Sequence, residues 1–208
     1  MLAFPSFNIL LDAVGKRYNR EWIFKKFNYQ IESGKAYAIV GGNGSGKSTL
    51  LQTIAGSILH STGTITYQAD GKNIEDSYKY ISIATPYMEL IEEMTAREFL
   101  NFHTSFTRLI LSNEEILAAV QLQDAADKQV RYFSSGMKQR LKLAQAFFSN
   151  TPVLLLDEPT TNLDEQGVQC YEQLIKDHTK NRIVIVGSNV EREYKFCTEL
   201  INMADYKN

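Results

Sequence analysis

The run Gly41-Gly42-Asn43-Gly44-Ser45-Gly46-Lys47-Ser48 constrains this chain more than any other stretch. It fits G-x-x-x-x-G-K-[ST], a pattern that carries chemistry only between a strand and a helix. Both neighbours are present: Ala36 to Val40 is a short apolar run, and Lys47 to Ala55 reads as a helix. Glycines let the backbone curl so that successive N–H groups point inward, and the helix behind them adds the positive end of its dipole. Gly41, Gly42, Asn43, Gly44, Ser45 and Gly46 are therefore expected to cradle phosphates. Lys47 would neutralise the β- and γ-phosphates of a nucleotide, Ser48 would offer its hydroxyl to Mg²⁺, and Thr49 would add a phosphate contact. A flexible glycine turn is the alternative that this context disfavours.

A phosphate loop of this kind needs an acidic residue at the end of a buried strand. Val153-Leu154-Leu155-Leu156-Asp157 supplies one, which makes Asp157 the candidate Mg²⁺ residue. Glu158 follows, placed to orient and polarise a water attacking the γ-phosphate. Taken alone, Asp157-Glu158 also fits a turn at a strand end; the phosphate loop upstream is what favours the catalytic reading.

The remaining chain fits an α/β protein. Phe7 to Val14, Phe27 to Ile31, Thr64 to Tyr67, Tyr80 to Ala84 and Arg182 to Gly187 read as strands, and Ser135 to Ser149 and Gln166 to Thr179 as helices, with a short one near Glu191. Thr95-Ala-Arg-Glu98 and Ser112-Asn-Glu-Glu115 match the capping box and predict helix starts at Ala96 and Asn113. Strand-helix alternation implies a parallel sheet, interrupted by a helical lobe from Pro86 to Ser149 within one domain spanning 1–208. With 24 acidic and 22 basic residues, a net charge of −2 gives no electrostatic reason to bind nucleic acid. Pro5, Asn8 and Asp12 interrupt the N-terminal apolar stretch, arguing against a signal peptide, and no apolar run reaches the ~18 residues of a membrane span. Cys170 and Cys197 read as buried thiols in a reducing compartment, and His60, His103 and His178 as surface or core residues. These features point to the cytoplasm.

Two further segments narrow the choice. Phe133-Ser134-Ser135-Gly136-Met137, followed by Gln139-Arg140, resembles the signature of ATP-binding-cassette (ABC) ATPases, usually Leu-Ser-Gly-Gly-Gln. Asp157-Glu158-Pro159-Thr160-Thr161-Asn162-Leu163-Asp164 resembles the same family's Asp-Glu-Pro stretch and D-loop. The matching order runs from Lys16-Arg17-Tyr18 through Thr62-Gly63-Thr64-Ile65 to Asn202. The resemblance implies a P-loop nucleotide hydrolase of ABC type: a mainly parallel core sheet, an N-terminal antiparallel β-subdomain and the inserted helical lobe. It implies ATP and Mg²⁺ as cofactors and a head-to-tail dimer, homo- or heterodimeric. Each ATP would lie between one copy's phosphate loop and the other's Ser134 and Gly136. It also implies a separately encoded transmembrane permease, with this subunit peripheral on the inner membrane face. Tyr18 corresponds to the aromatic that stacks on adenine, with Trp22 a competitor and a core role the alternative. Ser134 also suits a plain helix N-cap, and both roles can hold at once.

The chain departs from the family pattern in three places. Ile83-Ala84-Thr85-Pro86-Tyr87 lacks the usual glutamine, with Pro86 or Tyr87 in its place. Ser188-Asn189 replaces the usual Thr-His, so Asn189 can donate a hydrogen bond to the γ-phosphate but cannot take a proton. Ser135 and Met137 alter the signature while Ser134 and Gly136 remain. Slower hydrolysis is expected, and a weakly hydrolytic ATP-dependent regulatory or adaptor module is the alternative function. Pro86 to Met94 is the expected permease-facing surface, with Tyr87, Met88 and Leu90 exposed; packing within the lobe is the alternative.

Overall fold

A computed structural model describes residues 4–207, so the first three residues of the N-terminal segment and Asn208 lie outside the described residues. Two antiparallel strands, β1 (Phe7–Tyr18) and β2 (Glu21–Glu32), open the fold. Both are longer than the apolar alternation predicts, because β1 passes through register shifts between Leu11 and Val14 and again towards Arg17. A bulge restarts the ladder with the side chains re-aimed, so the period-2 signal breaks while the pairing continues. Then come β3 (Ala36–Val40), α1 (Lys47–Ile54), β4 (Thr62–Ala69), β5 (Lys72–Ile74) and β6 (Ile81–Ala84). Helices α2 (Ala96–His103), α3 (Asn113–Ala119) and α4 (Ser135–Phe148) precede β7 (Val153–Asp157) and α5 (Glu165–His178). The chain finishes with β8 (Ile183–Gly187), α6 (Glu191–Tyr194) and β9 (Glu199–Asn202). The short strands β5 and β9 have no sequence signal strong enough to predict them.

There are two sheets. One is antiparallel with strand order β2-β1-β4-β5; the other runs β6-β7-β8-β3-β9, with β7, β8, β3 and β9 paired in parallel. This is the expected α/β architecture.

The chain divides into two compact units. The first takes the residues up to Ile83, Thr151–Asp157 and those from Asn181 onward. Its core is built from inward faces of β1 and β2 (Ile9, Phe24, Phe27, Ile31), from β3, β7 and β8 (Ile39, Leu155, Ile185) and from Leu50, Leu51 and Ile54 of α1. Every residue of β7 and β8 is buried, as parallel strands covered on both faces require.

The second unit comprises Ala84–Asn150 and Glu158–Lys180, so it contains the expected lobe and also α5. Both capping boxes form: Thr95 with Glu98 at α2 and Ser112 with Glu115 at α3. Helix α4 is the centre of this unit. Leu141, Leu143, Phe147 and Phe148 are fully buried, with Phe147 edge-on to Tyr171 and Phe148 edge-on to His178 of α5. Cys170 is buried and its Sγ donates to the Ala119 carbonyl at 3.3 Å; Cys197, in the first unit, is half-buried rather than buried.

His103 packs within the second unit with Nε2 2.9 Å from Ser149 Oγ, and burial lowers its pKa below the ordinary 6.5. Between 6.5 and that lowered value the unfolded chain binds a proton that the folded chain does not, so stability falls as pH falls through this window. Above 6.5 both states are neutral and nothing is lost. Chemical denaturation at about pH 7 and about pH 5.5 should show a drop in stability that a His103→Asn variant lacks.

Candidate functional site

The site is built where parallel strands end. β3 stops at Val40 and α1 starts at Lys47, with Gly46 as its N-cap in the left-handed region (φ 103°). A Cβ there would stand 2.6 Å from Ile23 Cγ2, so both conformation and space require glycine. The Gly46 carbonyl accepts from Leu50 N–H at 2.8 Å, starting the helix and leaving the N–H groups of its first turn aimed back at the loop. Lys47 is 5% exposed, and its Nζ donates to the carbonyls of Gly41 (2.8 Å) and Gly42 (3.3 Å), which holds the ammonium against the loop. Ser45 Oγ is buried without a hydrogen-bond partner, a polar atom that a phosphate oxygen would satisfy.

The neighbouring strand ends complete the edge. In the parallel register Gly187 of β8 pairs with Ile39 of β3 on one side and with Asp157 of β7 on the other. Asp157 is 1% exposed, and a Cβ on Gly187 would lie 3.3 Å from its Oδ1 and 2.8 Å from Leu51 Cδ1 of α1. Ser188 continues β8, its N–H donating to the Ile39 carbonyl at 3.1 Å and its Oγ accepting from Val190 N–H at 2.9 Å. Asn189 then reaches the phosphate loop, with Nδ2 donating to Asn43 Oδ1 at 2.8 Å. Sequence patterns contain nothing that pairs residues 146 apart, so this tie is invisible before folding.

The donor set fits Mg²⁺. Ser48 and Asp157 carry hard oxygen donors, and among the described residues no group of three or more His, Cys, Asp or Glu gathers to cage a metal. That is the arrangement in which Mg²⁺ is held by one or two carboxylates together with substrate phosphates.

Tyr18 sits at the end of β1, 48% exposed, with Lys16 Nζ 4.9 Å from its ring centroid, so it is not a core residue. Trp22 is half-buried and covered by the Arg17 guanidinium at 5.5 Å. The hairpin that carries both approaches the phosphate loop where Ile23 meets Gly46.

The chain crosses into the second unit between Asp157 and Glu158. Glu158 adopts φ 43°, a left-handed conformation rare for a non-glycine residue and common where side chains are held for chemistry. Thr161 braces it, donating N–H to the Glu158 carbonyl (3.1 Å) and Oγ1 to Oε2 (3.4 Å). The next residue is fixed too: Gln139 of α4, itself buried, donates Nε2 to the Pro159 carbonyl at 2.9 Å. The sequence assigns Gln139 no role, although it lies in the signature stretch.

Ser134 is exposed and caps α4, its Oγ accepting from Met137 N–H at 3.2 Å. Gly136 allows a close approach, since a Cβ there would stand 3.0 Å from the Asn162 carbonyl. In the Pro86–Met94 stretch, Tyr87 is 83% exposed as expected, whereas Met88 is half-buried and Leu90 is buried.

The family model for the ABC transporter matches residues 24–161. The chain belongs to the ABC transporter family. It is a nucleotide-binding domain of that family, which binds and hydrolyses ATP. Among its curated relatives, the uncharacterized ABC transporter ATP-binding protein YybJ of Bacillus subtilis is 29% identical over 91% of this chain and 86% of its own length. The lantibiotic transport ATP-binding protein SrtF of Streptococcus pyogenes is 30% identical over 89% of this chain and 82% of its own. Among solved structures, the dimeric post-hydrolysis state of the ATP-binding cassette MJ0796, bound to ADP and Pi, superposes with a TM-score of 0.81. It is 25% identical, with 93% of each chain covered.

If Gly46 is the hinge on which this ABC phosphate loop turns, Gly46→Ala should weaken ATP binding by at least about tenfold, near 1.4 kcal/mol. Titration calorimetry with ATP measures that loss, and an unchanged far-ultraviolet circular dichroism spectrum would show that the fold persists.

Proposed function

We propose that the chain is a single ABC domain over 1–208, in which the phosphate loop holds ATP and Glu158 is the general base. Two copies, or one copy and another ABC ATPase, would close around the nucleotides. The observation that carries this reading is the shared strand edge: the left-handed Gly46, the ammonium of Lys47 and the buried carboxylate of Asp157 all stand at the C-terminal ends of β3 and β7. Open α/β sheets bind ligands at that edge.

Backbone N–H groups of Gly41 to Gly46 receive the phosphates, and Lys47 leaves the Gly41 and Gly42 carbonyls to neutralise the β- and γ-oxygens. Ser48 and Asp157 hold Mg²⁺, and Thr49 adds a phosphate contact. The metal held by Ser48 and Asp157 would supply positive charge to offset the charge that develops on the phosphates. Glu158 accepts the proton of the attacking water, and Thr161 keeps its carboxylate aimed. Asn189 donates its amide to the γ-phosphate in place of a cation, a weaker contact worth about 1–2 kcal/mol less. Tyr18 stacks on the adenine. The partner copy's Ser134 hydroxyl and the N–H groups around Gly136 meet the γ-phosphate from the opposite side, as a helix N-terminus favours anions.

The relatives described as transport and export ATP-binding proteins support a separately encoded permease, with this subunit on the cytoplasmic face of the membrane. Its docking place is the cavity of about 370 Å³ beside Pro86, Tyr87, Met88 and Glu92. Nucleic acid has no part in this reading.

Purified protein should hydrolyse Mg-ATP, and Glu158→Gln should lower kcat by at least about 100-fold, the usual contribution of a general base. The variant should also accumulate an ATP-dependent dimer in size-exclusion chromatography. Equal, slow turnover by both proteins, with ATP still driving dimerisation, would replace the transport ATPase by a regulatory module.

A further inference from the structure

Helix α4 grips the segment that follows β6. Lys138, Lys142 and Gln145 stand at i, i+4 and i+7 and so share one helix face. Each holds a point of the 86–92 stretch: Gln145 Nε2 donates to Met88 Sδ, Lys142 Nζ donates to the Pro86 carbonyl at 2.5 Å, and Lys138 pairs with Glu92. Over Pro86–Leu90 the backbone brings little of its own: Met88 N–H donates to the Thr85 carbonyl at 3.3 Å, a long bond, and Pro86 has no N–H to give, whereas further on the Glu92 carbonyl accepts from Arg131 N–H at 3.0 Å.

Lys142 is the residue that stability does not explain. It is 9% exposed, between Leu141 and Leu143, both fully buried. Its partner is a carbonyl rather than a carboxylate, and burial, with Lys138 nearby, pushes its pKa below the ordinary lysine value. Burying an ammonium against one dipole costs more than burying an apolar side chain of similar size, and Leu or Ala would serve the helix as well. What the lysine supplies is a long stem with a point donor that reaches Pro86.

The same helix is tied to the chemistry at two other places. Ser134 caps its first turn, and Gln139 holds the carbonyl of Pro159, the residue after Glu158. A 14-residue helix transmits a displacement along its length as a packed, rigid element.

We propose that Lys142 is a positioning residue that fastens the Pro86–Leu90 turn to α4, so that this turn follows the helix that carries Ser134 and Gln139. The turn then responds to nucleotide through the helix, without a side chain of its own on the metal or the water. The inference rests on the reading of Ser134 as a nucleotide contact across the dimer.

Hydrogen exchange of the purified full chain tests it. Without nucleotide, Lys142→Met, which keeps the stem and loses the donor, should speed exchange of the Tyr87–Leu90 amides by about tenfold, while α4 and β7 amides stay unchanged. Lys142→Arg should keep the parent rate. In a Glu158→Gln background, Mg-ATP should slow those same amides in the protein that retains Lys142 and in the arginine variant but not in the methionine variant, with dimer formed by all three. A side chain that only filled space would shift the nucleotide-free rate and leave the ATP response in place. The proposal is overturned if the methionine variant keeps the parent's nucleotide-free rate, or keeps the full ATP response while dimerising. Failure of the parent to dimerise with ATP contradicts the function above, and the nucleotide-free comparison then decides on Lys142 alone.

Discussion

The parallel register that sets Ile39 and Asp157 on either side of Gly187 is the constraint on which the rest of this cassette depends. Three strands that end together leave a row of chain reversals on one edge, and each reversal begins with residues that the proposed function uses. After β3 comes the phosphate loop, after β7 the Asp157-Glu158 pair, and after β8 the Ser188-Asn189 turn. A slip of the register by one residue would turn Asp157 to the other face of the sheet. Gly187 has no side chain to keep Asp157 and Leu51 apart, so α1 and β7 can both close on that strand.

Much of this was legible in the sequence where the physics is local. The phosphate loop needs glycine at Gly46 because the chain must turn left-handed there, and that requirement is written in the residue itself. The capping boxes at Thr95 and Ser112 work within four residues of chain, so they fold as they read. A short all-apolar run ending in Asp157 fits a strand buried on both faces, too short for a helix of its own. What was not legible is long-range or irregular. The bulges of β1 break the alternation that marks a strand, and four-residue β9 owes its place to pairing with β3. The bonds Asn189–Asn43, Gln139–Pro159 and Lys142–Pro86 join segments that no periodicity connects. Leu90 was expected at the surface and is buried.

The departures from the family pattern acquire a common sense once the contacts are known. Where the family usually has a glutamine, this chain has Pro86 or Tyr87, and the Pro86 carbonyl is held by α4 from within the same unit. Where it has a histidine, Asn189 is paired with the phosphate loop through Asn43. Asn189 puts a neutral amide where the family has a titratable histidine, whereas the Pro86 carbonyl is held by the ammonium of Lys142. Glu158, the base of the proposed function, is retained in a left-handed conformation and bonded twice to Thr161.

In the proposed function a complete catalytic site requires two copies, the signature serine of one meeting the nucleotide of the other. Steady-state ATPase activity measured across a wide range of protein concentration tests this most directly. Well below the dimer dissociation constant, rate should rise with roughly the square of protein concentration, so that activity per mole increases on concentrating the protein. Activity per mole that stays constant over that range, in a protein that size-exclusion chromatography shows to be monomeric with ATP bound, would contradict it.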